Sequence, residues 1–347
     1  MSRAAVLPHL DPATYQKHTL HADDRVWIEK NCYVDIWVEL LHALGLEPRA
    51  VLPFALAIDF EGDQWTFFKP PHGELFDLYG VDVQELNPWR PLVEHAVTQL
   101  GAGKLISMEA DAFWLPDTSG TDYRRQHTKT TIILADIDVE RGKLGYFHNA
   151  GYHALEGEDF ARLFRIGAAP DPTFMPLFVE LVRIDRMVRR PRAELVAMSR
   201  ALLAKHLARR PSDNPVIRFG QAFERELPRM QSEGLAFYHA WAFATVRQLG
   251  AAFELAAAYV RWLEGDGSRA GDDPPNDAPG APALGAAAEA FDSISVAAKA
   301  FILKAARAVN GKRAFDAATP MAEMADAWQR GMDVLERYAR HVSVSAP

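Results

Sequence analysis

The sequence has 347 residues, of which 49% are hydrophobic and 24% charged, close to ordinary globular usage, so wholesale disorder is excluded. At roughly 150 residues per domain, this length predicts two domains. The formal net charge of −8 argues against a general nucleic-acid-binding protein, so no nucleic-acid partner is expected. A single cysteine, Cys32, excludes an internal disulfide and any cysteine-rich metal site.

The apolar segments of the chain do not resemble targeting or membrane segments. The first ten residues lack the long apolar core of a secretory signal. The longest apolar region, from Leu235 to Leu263, contains two arginines, a glutamate and a histidine, whereas a membrane span needs about 20 mostly apolar residues. We therefore expect a buried helix there, no membrane partner and a cytoplasmic location.

The first half of the chain mixes helical and strand patterns. Apolar residues at helical spacing predict a helix that begins near Cys32 and ends at Gly45. A short helix is predicted at 88–100, and β-rich runs predict strands at 54–60, 64–69, 105–109, 128–135 and 143–148. The first two strands form one hairpin, and the last two form a second hairpin around a polar turn at 136–142.

From residue 157 onwards the pattern becomes helical. Helices are predicted at 158–165, 173–188, 191–208, 215–231, 234–263, 286–309 and 319–341. The segment 265–285 is rich in Gly, Pro, Asp and Ala and predicts a flexible loop. The sequence therefore predicts an α+β fold, with an α+β domain over 1–156 followed by an all-helical domain over 157–347.

Cys32 is the leading candidate for a nucleophile because it stands where the first amphipathic helix begins. A helix N-terminus presents unpaired N–H groups and a partial positive charge. This environment predicts a lowered pKa for the thiol and offers amides to an oxyanion. The alternative is a buried structural cysteine, because a free thiol packs as a small hydrophobic group.

A cysteine nucleophile needs a base and a group that orients the base. His127, at the start of the 128–135 strand, is the predicted base, and Asn149, after the returning strand, is the predicted orienting group. A hairpin centred on residue 138 would place these two side by side. The alternatives are a histidine at a strand end on the surface and an asparagine that forms a turn.

The order of a cysteine at a helix start, a histidine at a strand start and an asparagine after the next strand resembles the papain-like cysteine fold. More specifically, residues 31–150 resemble the N-terminal region of the butirosin biosynthesis acyltransferase family. The whole chain also resembles a bacterial family of unassigned function found with carrier proteins and amino acid:carrier protein ligases. Papain-like proteases usually have a glutamine shortly before the cysteine, which this chain lacks, so Asn31 and Asp111 are the candidates for oxyanion or supporting roles.

The resemblance implies an acyltransferase in which Cys32 accepts an acyl or aminoacyl group from the phosphopantetheine arm of an acidic carrier protein. His127 and Asn149 would serve as base and orienting group, a small-molecule amine or hydroxyl would be the acceptor, and no bound cofactor is expected. The alternatives are a thioesterase or cysteine peptidase of the same fold, with water as acceptor, and a non-catalytic scaffold that binds the carrier protein.

Basic residues are concentrated between 183 and 210, against the acidic total. Arg183, Arg186, Arg189 and Arg190 begin this cluster and are predicted to dock an acidic partner, with a solvated helix face as the alternative. Two histidine pairs, His18 with His21 and His148 with His153, lack the spacing of a metal-binding helix motif. No metal site is predicted.

Overall fold

The computed structural model describes residues 3–169, 171, 173–265 and 283–345, without the side chains of 342–345. The chain forms two compact units. The sheet unit comprises Met1–Ala22, Asn31–Glu47 and Pro71–Arg189, and the helical unit comprises Asp23–Lys30, Pro48–Pro70 and Arg190–Pro347. The predicted loop at 265–285 lies almost entirely outside the described residues.

The described residues of the sheet unit contain seven strands in one antiparallel sheet. These are β1 (Arg3–Ala5), β4 (Asp82–Leu86), β5 (Leu105–Asp111), β6 (Lys129–Asp138), β7 (Lys143–His148), β8 (Gly151–Glu156) and β9 (Val179–Arg183). The order is β4-β9-β5-β6-β7-β8, and β1 pairs with the far end of β6. The predicted β-rich first half with an antiparallel sheet is therefore confirmed.

The α-helices of the sheet unit are α1 (Cys32–Ala43), α2 (His72–Tyr79), α3 (Leu92–Gly101) and α4 (Glu158–Leu163). Helix α1 packs against β6, β7 and β8. Ala96 and Leu100 of α3 and Phe160 of α4 join a buried cluster with Ile132 and Leu134 of β6. The apolar residues of the sheet thus find helical partners, as a half-buried antiparallel sheet requires.

The helical unit contains α5 (Arg192–Arg209), α6 (Pro215–Glu233), α7 (Leu235–Ala244), α8 (Val246–Glu264), α9 (Gly285–Gly311) and α10 (Ala318–Ser345). It also contains a 3₁₀ segment, Pro48–Ala57, that packs against α5 and α8, and a short hairpin of β2 (Phe60–Glu61) with β3 (Gln64–Trp65). The predicted helical character of the second part is confirmed from Arg192 onwards for the described residues. None of the described helices is both long enough and apolar enough to cross a membrane.

Several predicted elements differ from the structure. The helix expected at 173–188 is wrong, because Val179–Arg183 is the strand β9 between β4 and β5. The sheet therefore extends beyond the domain boundary expected at residue 156. The strand expected at 54–60 is mostly the 3₁₀ segment, which contains Pro53. The helix expected at 234–263 is two helices that meet at Thr245, a residue with non-helical backbone angles.

Candidate active site

Cys32 is the first residue of α1, as predicted from the sequence. Asn31 caps the helix, because its side-chain Oδ1 accepts hydrogen bonds from the backbone N–H groups of Tyr33 at 3.1 Å and Val34 at 2.8 Å. These two amides are thus occupied, which removes them as the oxyanion donors expected at this helix start. The Asn31 Oδ1 is therefore occupied as a hydrogen-bond acceptor, and an oxyanion role for its side-chain NH2 stays a prediction.

The thiol of Cys32 lies against the beginning of β6. The Thr130 side chain, the Thr131 backbone and the charge of Lys129 all lie close enough to the thiol to lower its pKa. Cys32 is only partly exposed, whereas Thr130 and Thr131 are buried. The thiol therefore has a defined polar contact on one side and partial access to solvent.

Thr130 connects the cysteine to His148 at the end of β7. The Thr130 Oγ1 lies 2.8 Å from the His148 Nε2, and the His148 Nδ1 lies 2.5 Å from the Asp117 Oδ2. Tyr146, two residues before His148 on the same face of β7, donates its hydroxyl to the other oxygen of Asp117. The histidine and Asp117 are buried, so this network is shielded from solvent.

Thr130, His148 and Asp117 form a continuous hydrogen-bonded line that begins beside the Cys32 thiol. With Nδ1–H donating to Asp117, the bare Nε2 of His148 accepts from the Thr130 hydroxyl, whose oxygen can in turn accept from the thiol. Although burial opposes its charged form, the hydrogen bond and charge of His148 hold the pKa of Asp117 below its usual range. An ionised carboxylate that orients an imidazole is part of the arrangement used for nucleophilic catalysis, and here Thr130 stands between the imidazole and the thiol.

The thiol pKa differs from the sequence-based expectation. Burial raises the pKa of Cys32, and the hydrogen bond from Thr130 and the charge of Lys129 only partly offset it. The nearby carboxylate of Asp35 raises the pKa further. The prediction of a lowered thiol pKa is therefore wrong, because loss of solvation outweighs the favourable position at the helix start.

His127 does not share this network. Its ring is 69% exposed, its Nδ1 lies 2.6 Å from the Asp111 Oδ2, and it stacks on Phe113 with ring centroids 4.4 Å apart. Thr130, the residue that contacts the thiol, lies three residues further on, about 10 Å along extended chain. Asp111, a candidate for an oxyanion or supporting role, contacts His127 and caps the turn at Phe113.

The predicted pairing of His127 with Asn149 fails because of the hairpin register. Ile133 pairs with Phe147 and Asp138 pairs with Lys143, so the hairpin is centred about two residues beyond position 138. Asn149 instead begins the tight turn between β7 and β8, with a left-handed φ of 45° that asparagine tolerates well. It is a turn residue, which was the alternative reading from the sequence.

The same register brings together the residues that the sequence analysis missed. Because Ile133 pairs with Phe147, His148 lies opposite position 132 of β6. Thr130 is two residues from that position and therefore lies on the same face of the sheet as His148. The signal in the sequence was the alternation of Tyr146 and His148 on a strand that returns towards a threonine-rich strand. In the sequence alone, His148 stands out only as the partner of His153 in a histidine pair.

A second buried network lies one turn into α1. His21 is hydrogen-bonded to Glu39 through Nδ1 and to Asp35 at 3.0 Å through Nε2, and all three side chains are fully buried. The Tyr15 hydroxyl donates to Glu39 at 2.6 Å. Burial works against a charged imidazole, but the charges of Asp35 and Glu39 raise the pKa of His21 above its usual value. This network fixes α1 to the N-terminal segment.

The arginine cluster is largely engaged within the protein. Arg183 pairs with Asp82 at 3.2 Å, Arg189 donates to the carbonyl of Leu44 at 2.9 Å, and Arg190 pairs with Glu194. Arg186 is exposed. The arginine charge offered to a partner is therefore smaller than the sequence implies, and docking of an acidic protein stays a prediction.

Among the described residues, no group of three or more histidine, cysteine, aspartate and glutamate side chains could hold a metal ion. Two family models match the sequence: the DUF1839 N-terminal domain matches residues 16–184, and the DUF1839 C-terminal domain matches residues 192–337. No curated protein matches the chain.

Proposed function

The chain belongs to the DUF1839 family, a family of unknown function, and from the chemistry of the Cys32 site we propose that it is a cysteine-dependent acyltransferase. The observation that carries this proposal is the hydrogen-bonded line from Thr130 through His148 to Asp117, which begins beside the thiol of Cys32. A helix that begins with the nucleophile and packs on an antiparallel sheet supports a papain-like fold as part of the same proposal.

The first half-reaction acylates the cysteine. The Cys32 sulfur attacks the carbonyl carbon of a thioester while its proton passes through the Thr130 hydroxyl to the His148 Nε2. Asp117 stabilises the imidazolium that forms, as an ionised carboxylate does in catalytic triads. When the tetrahedral intermediate collapses, the bond to the original sulfur breaks and His148 returns the proton to the departing thiolate.

The second half-reaction transfers the acyl group. An amine or hydroxyl acceptor attacks the acyl-cysteine, gives its proton to His148, and expels the Cys32 sulfur, which regains a proton. The raised pKa of Cys32 favours this coupled proton transfer over a stored thiolate. Exchange between thioesters is nearly level in free energy and amide formation is downhill, so no nucleotide is required. A carrier-protein arm as the donor stays a prediction from the sequence.

The proposal is tested by intact-protein mass spectrometry after incubation with a small acyl thioester of N-acetylcysteamine. We expect one acyl group per chain, located on the peptide that contains Cys32 and absent from Cys32→Ala. His148→Asn should slow acylation by about 10²-fold or more, because it removes the general base. His127→Asn is the matched control and should acylate at the wild-type rate.

Two outcomes would contradict the assignment. Acylation that survives in Cys32→Ala excludes the covalent mechanism. Loss of acylation in His127→Asn together with its retention in His148→Asn would restore His127 as the base. Adding amines or alcohols to the isolated acyl-enzyme then separates an acyltransferase from a hydrolase, since a hydrolase releases the free acid at the same rate whether or not an acceptor is present.

A further inference from the structure

The helical unit contains a groove that the proposed chemistry does not use. Its walls are the segment Arg25–Glu29, one side of α7, the start of α8 at Arg247 and one side of α9, and its volume is about 770 Å³. Sites for small molecules generally fall between about 300 and 1,000 Å³. The groove is therefore large enough for a metabolite-sized ligand.

The charges around the groove are mainly positive. Arg25, Arg247 and Lys299 line it, and Glu29 is the acidic residue among its lining side chains. Arg247 donates to the Glu29 carbonyl at 3.0 Å, and its guanidinium lies 3.9 Å from the Glu29 carboxylate. Lys299 lies 4.5 Å from the ring centroid of Trp27, and the described residues place no carboxylate against it. In a chain with a net charge of −8, this local excess of cations favours an anionic ligand.

The same groove presents apolar side chains to solvent. Phe243 on α7 is 58% exposed and Leu303 on α9 is 55% exposed. Ile28, in the Arg25–Glu29 segment of the groove wall, is also exposed. Large apolar groups that converge on one cavity, beside cations, fit a ligand with both an apolar body and a charged end.

The segment that forms one wall is held rigidly. The backbone N–H groups of Val26 and Trp27 donate to the Glu254 carboxylate at 2.9 and 3.3 Å, and the same carboxylate pairs with the buried Lys30 at 3.1 Å. The edge of the Trp27 ring packs on Gly250 of α8, where any Cβ would come within 2.6 Å. A wall fixed in this way lowers the ordering cost of binding.

We propose that this groove is a binding site for an organic anion, a carboxylate or phosphate joined to an acyl or aryl body. The anionic end lies between Lys299 and Arg247, and the apolar body covers Phe243 and Leu303. This site is independent of the acyl chemistry proposed for Cys32, and it assigns a ligand class to the helical unit.

The proposal is tested with the full-length chain by photolabelling with benzophenone carboxylate and, as an uncharged probe of the same shape, benzophenone carboxamide. Peptide mapping should place the carboxylate label within 25–29, 239–247 or 296–303. The carboxamide should label these segments much less. Lys299→Gln should weaken saturation by the carboxylate about tenfold, because it removes one charge-assisted hydrogen bond. Lys299→Arg should retain the affinity.

Lys304→Gln is the matched control, because Lys304 is an exposed lysine on α9 that does not line the groove. It should label like the wild type. Decanoate and decyl phosphate, added as competitors, distinguish a carboxylate from a phosphate ligand. Labelling of other segments, or labelling that does not change in Lys299→Gln, would overturn the proposal. The Lys299 and Lys304 variants should acylate Cys32 at the wild-type rate, so a failure of the groove proposal can be distinguished from a failure of the proposed function.

Discussion

At the scale of single residues, Cys32 is governed by the balance between burial and two favourable partners. Burial raises its pKa, while Thr130 and Lys129 act in the opposite direction. We expect iodoacetamide to alkylate Cys32 more slowly than free cysteine at pH 7, with a midpoint of the pH–rate profile above that of the free thiol, since the thiolate is the reactive form.

Lys129→Gln should move that midpoint to still higher pH, because it removes a positive charge that stabilises the thiolate. Lys104→Gln, at the residue before β5, is the matched control and should leave the profile unchanged. Mass-spectrometric quantification of alkylated protein over a pH series gives both profiles. A wild-type midpoint below that of free cysteine would show that the position at the helix N-terminus outweighs burial in setting the thiol pKa.

His21 makes the stability of the sheet unit dependent on pH. The pKa of His21 is raised in the folded chain. Its contribution to the free energy of unfolding is therefore fully present below the unfolded pKa of 6.5 and is lost as the pH rises through the folded pKa. Glu39 behaves oppositely, because its pKa is lowered in the folded chain. Its contribution to the free energy of unfolding is present above the unfolded pKa of 4.5 and is lost as the pH falls through the folded pKa.

We therefore expect the free energy of unfolding to decline on the alkaline side of the folded His21 pKa, measured by urea denaturation at a series of pH values. His21→Gln should lower stability overall, because it leaves two buried carboxylates without their cation, and should abolish this alkaline decline. His9→Gln, at an exposed position, is the control. An unchanged alkaline slope in His21→Gln would mean that another group titrates there.

At the scale of elements, helix α8 depends on a glycine for its packing. A Cβ at Gly250 would lie 2.6 Å from the Trp27 ring, which real structures do not tolerate. Gly250→Ala should lower the free energy of unfolding by about 1–3 kcal/mol through overpacking. Urea denaturation checks this value.

Gly73→Ala, in α2, is the matched helical control, because a Cβ there meets nothing within 4 Å. It should raise the free energy of unfolding by up to about 1 kcal/mol, since alanine favours a helix more than glycine does. Equal effects of the two substitutions would show that the Trp27 contact does not limit the packing of α8.

The elements also show how far sequence reasoning reaches. Helix α1 was predicted because its apolar spacing and its start are local properties of the chain. The pairing of β6 with β7 was predicted too, but its register was not, because the hairpin is centred near residue 140 instead of 138. The sequence alone groups His148 with His153 as a histidine pair, so its hydrogen bond to Thr130 is not predicted.

Strand β9 was missed because its identity comes from tertiary structure. Val179–Arg183 is short and follows an apolar stretch that also fits a helical pattern. Its place between β4 and β5 supplies backbone partners on both sides, which outweigh local propensity. Asp117 was missed similarly, since it reaches His148 from a loop 31 residues away in the sequence.

At the scale of the whole molecule, each unit is assembled from three separate stretches of chain. In the helical unit, the Ser199 hydroxyl of α5 donates to the Ala50 carbonyl at 2.7 Å, and Arg218 of α6 pairs with Asp59 at 2.6 Å. The ion pair of Lys30 with Glu254 is a third such link. Residues from the first 70 positions therefore complete a core formed mainly by the last 158.

This division has a consequence for how the protein is made. The stretches Asp23–Lys30 and Pro48–Pro70 leave the ribosome early, yet their partners in α5, α6 and α8 are synthesised only after residue 190. The sheet unit can close as soon as Arg189 has emerged, whereas the early stretches of the helical unit must stay unpaired until translation is nearly complete. Dividing the gene between the two matched domains, after residue 184, would place Lys30 and Glu254 on different chains.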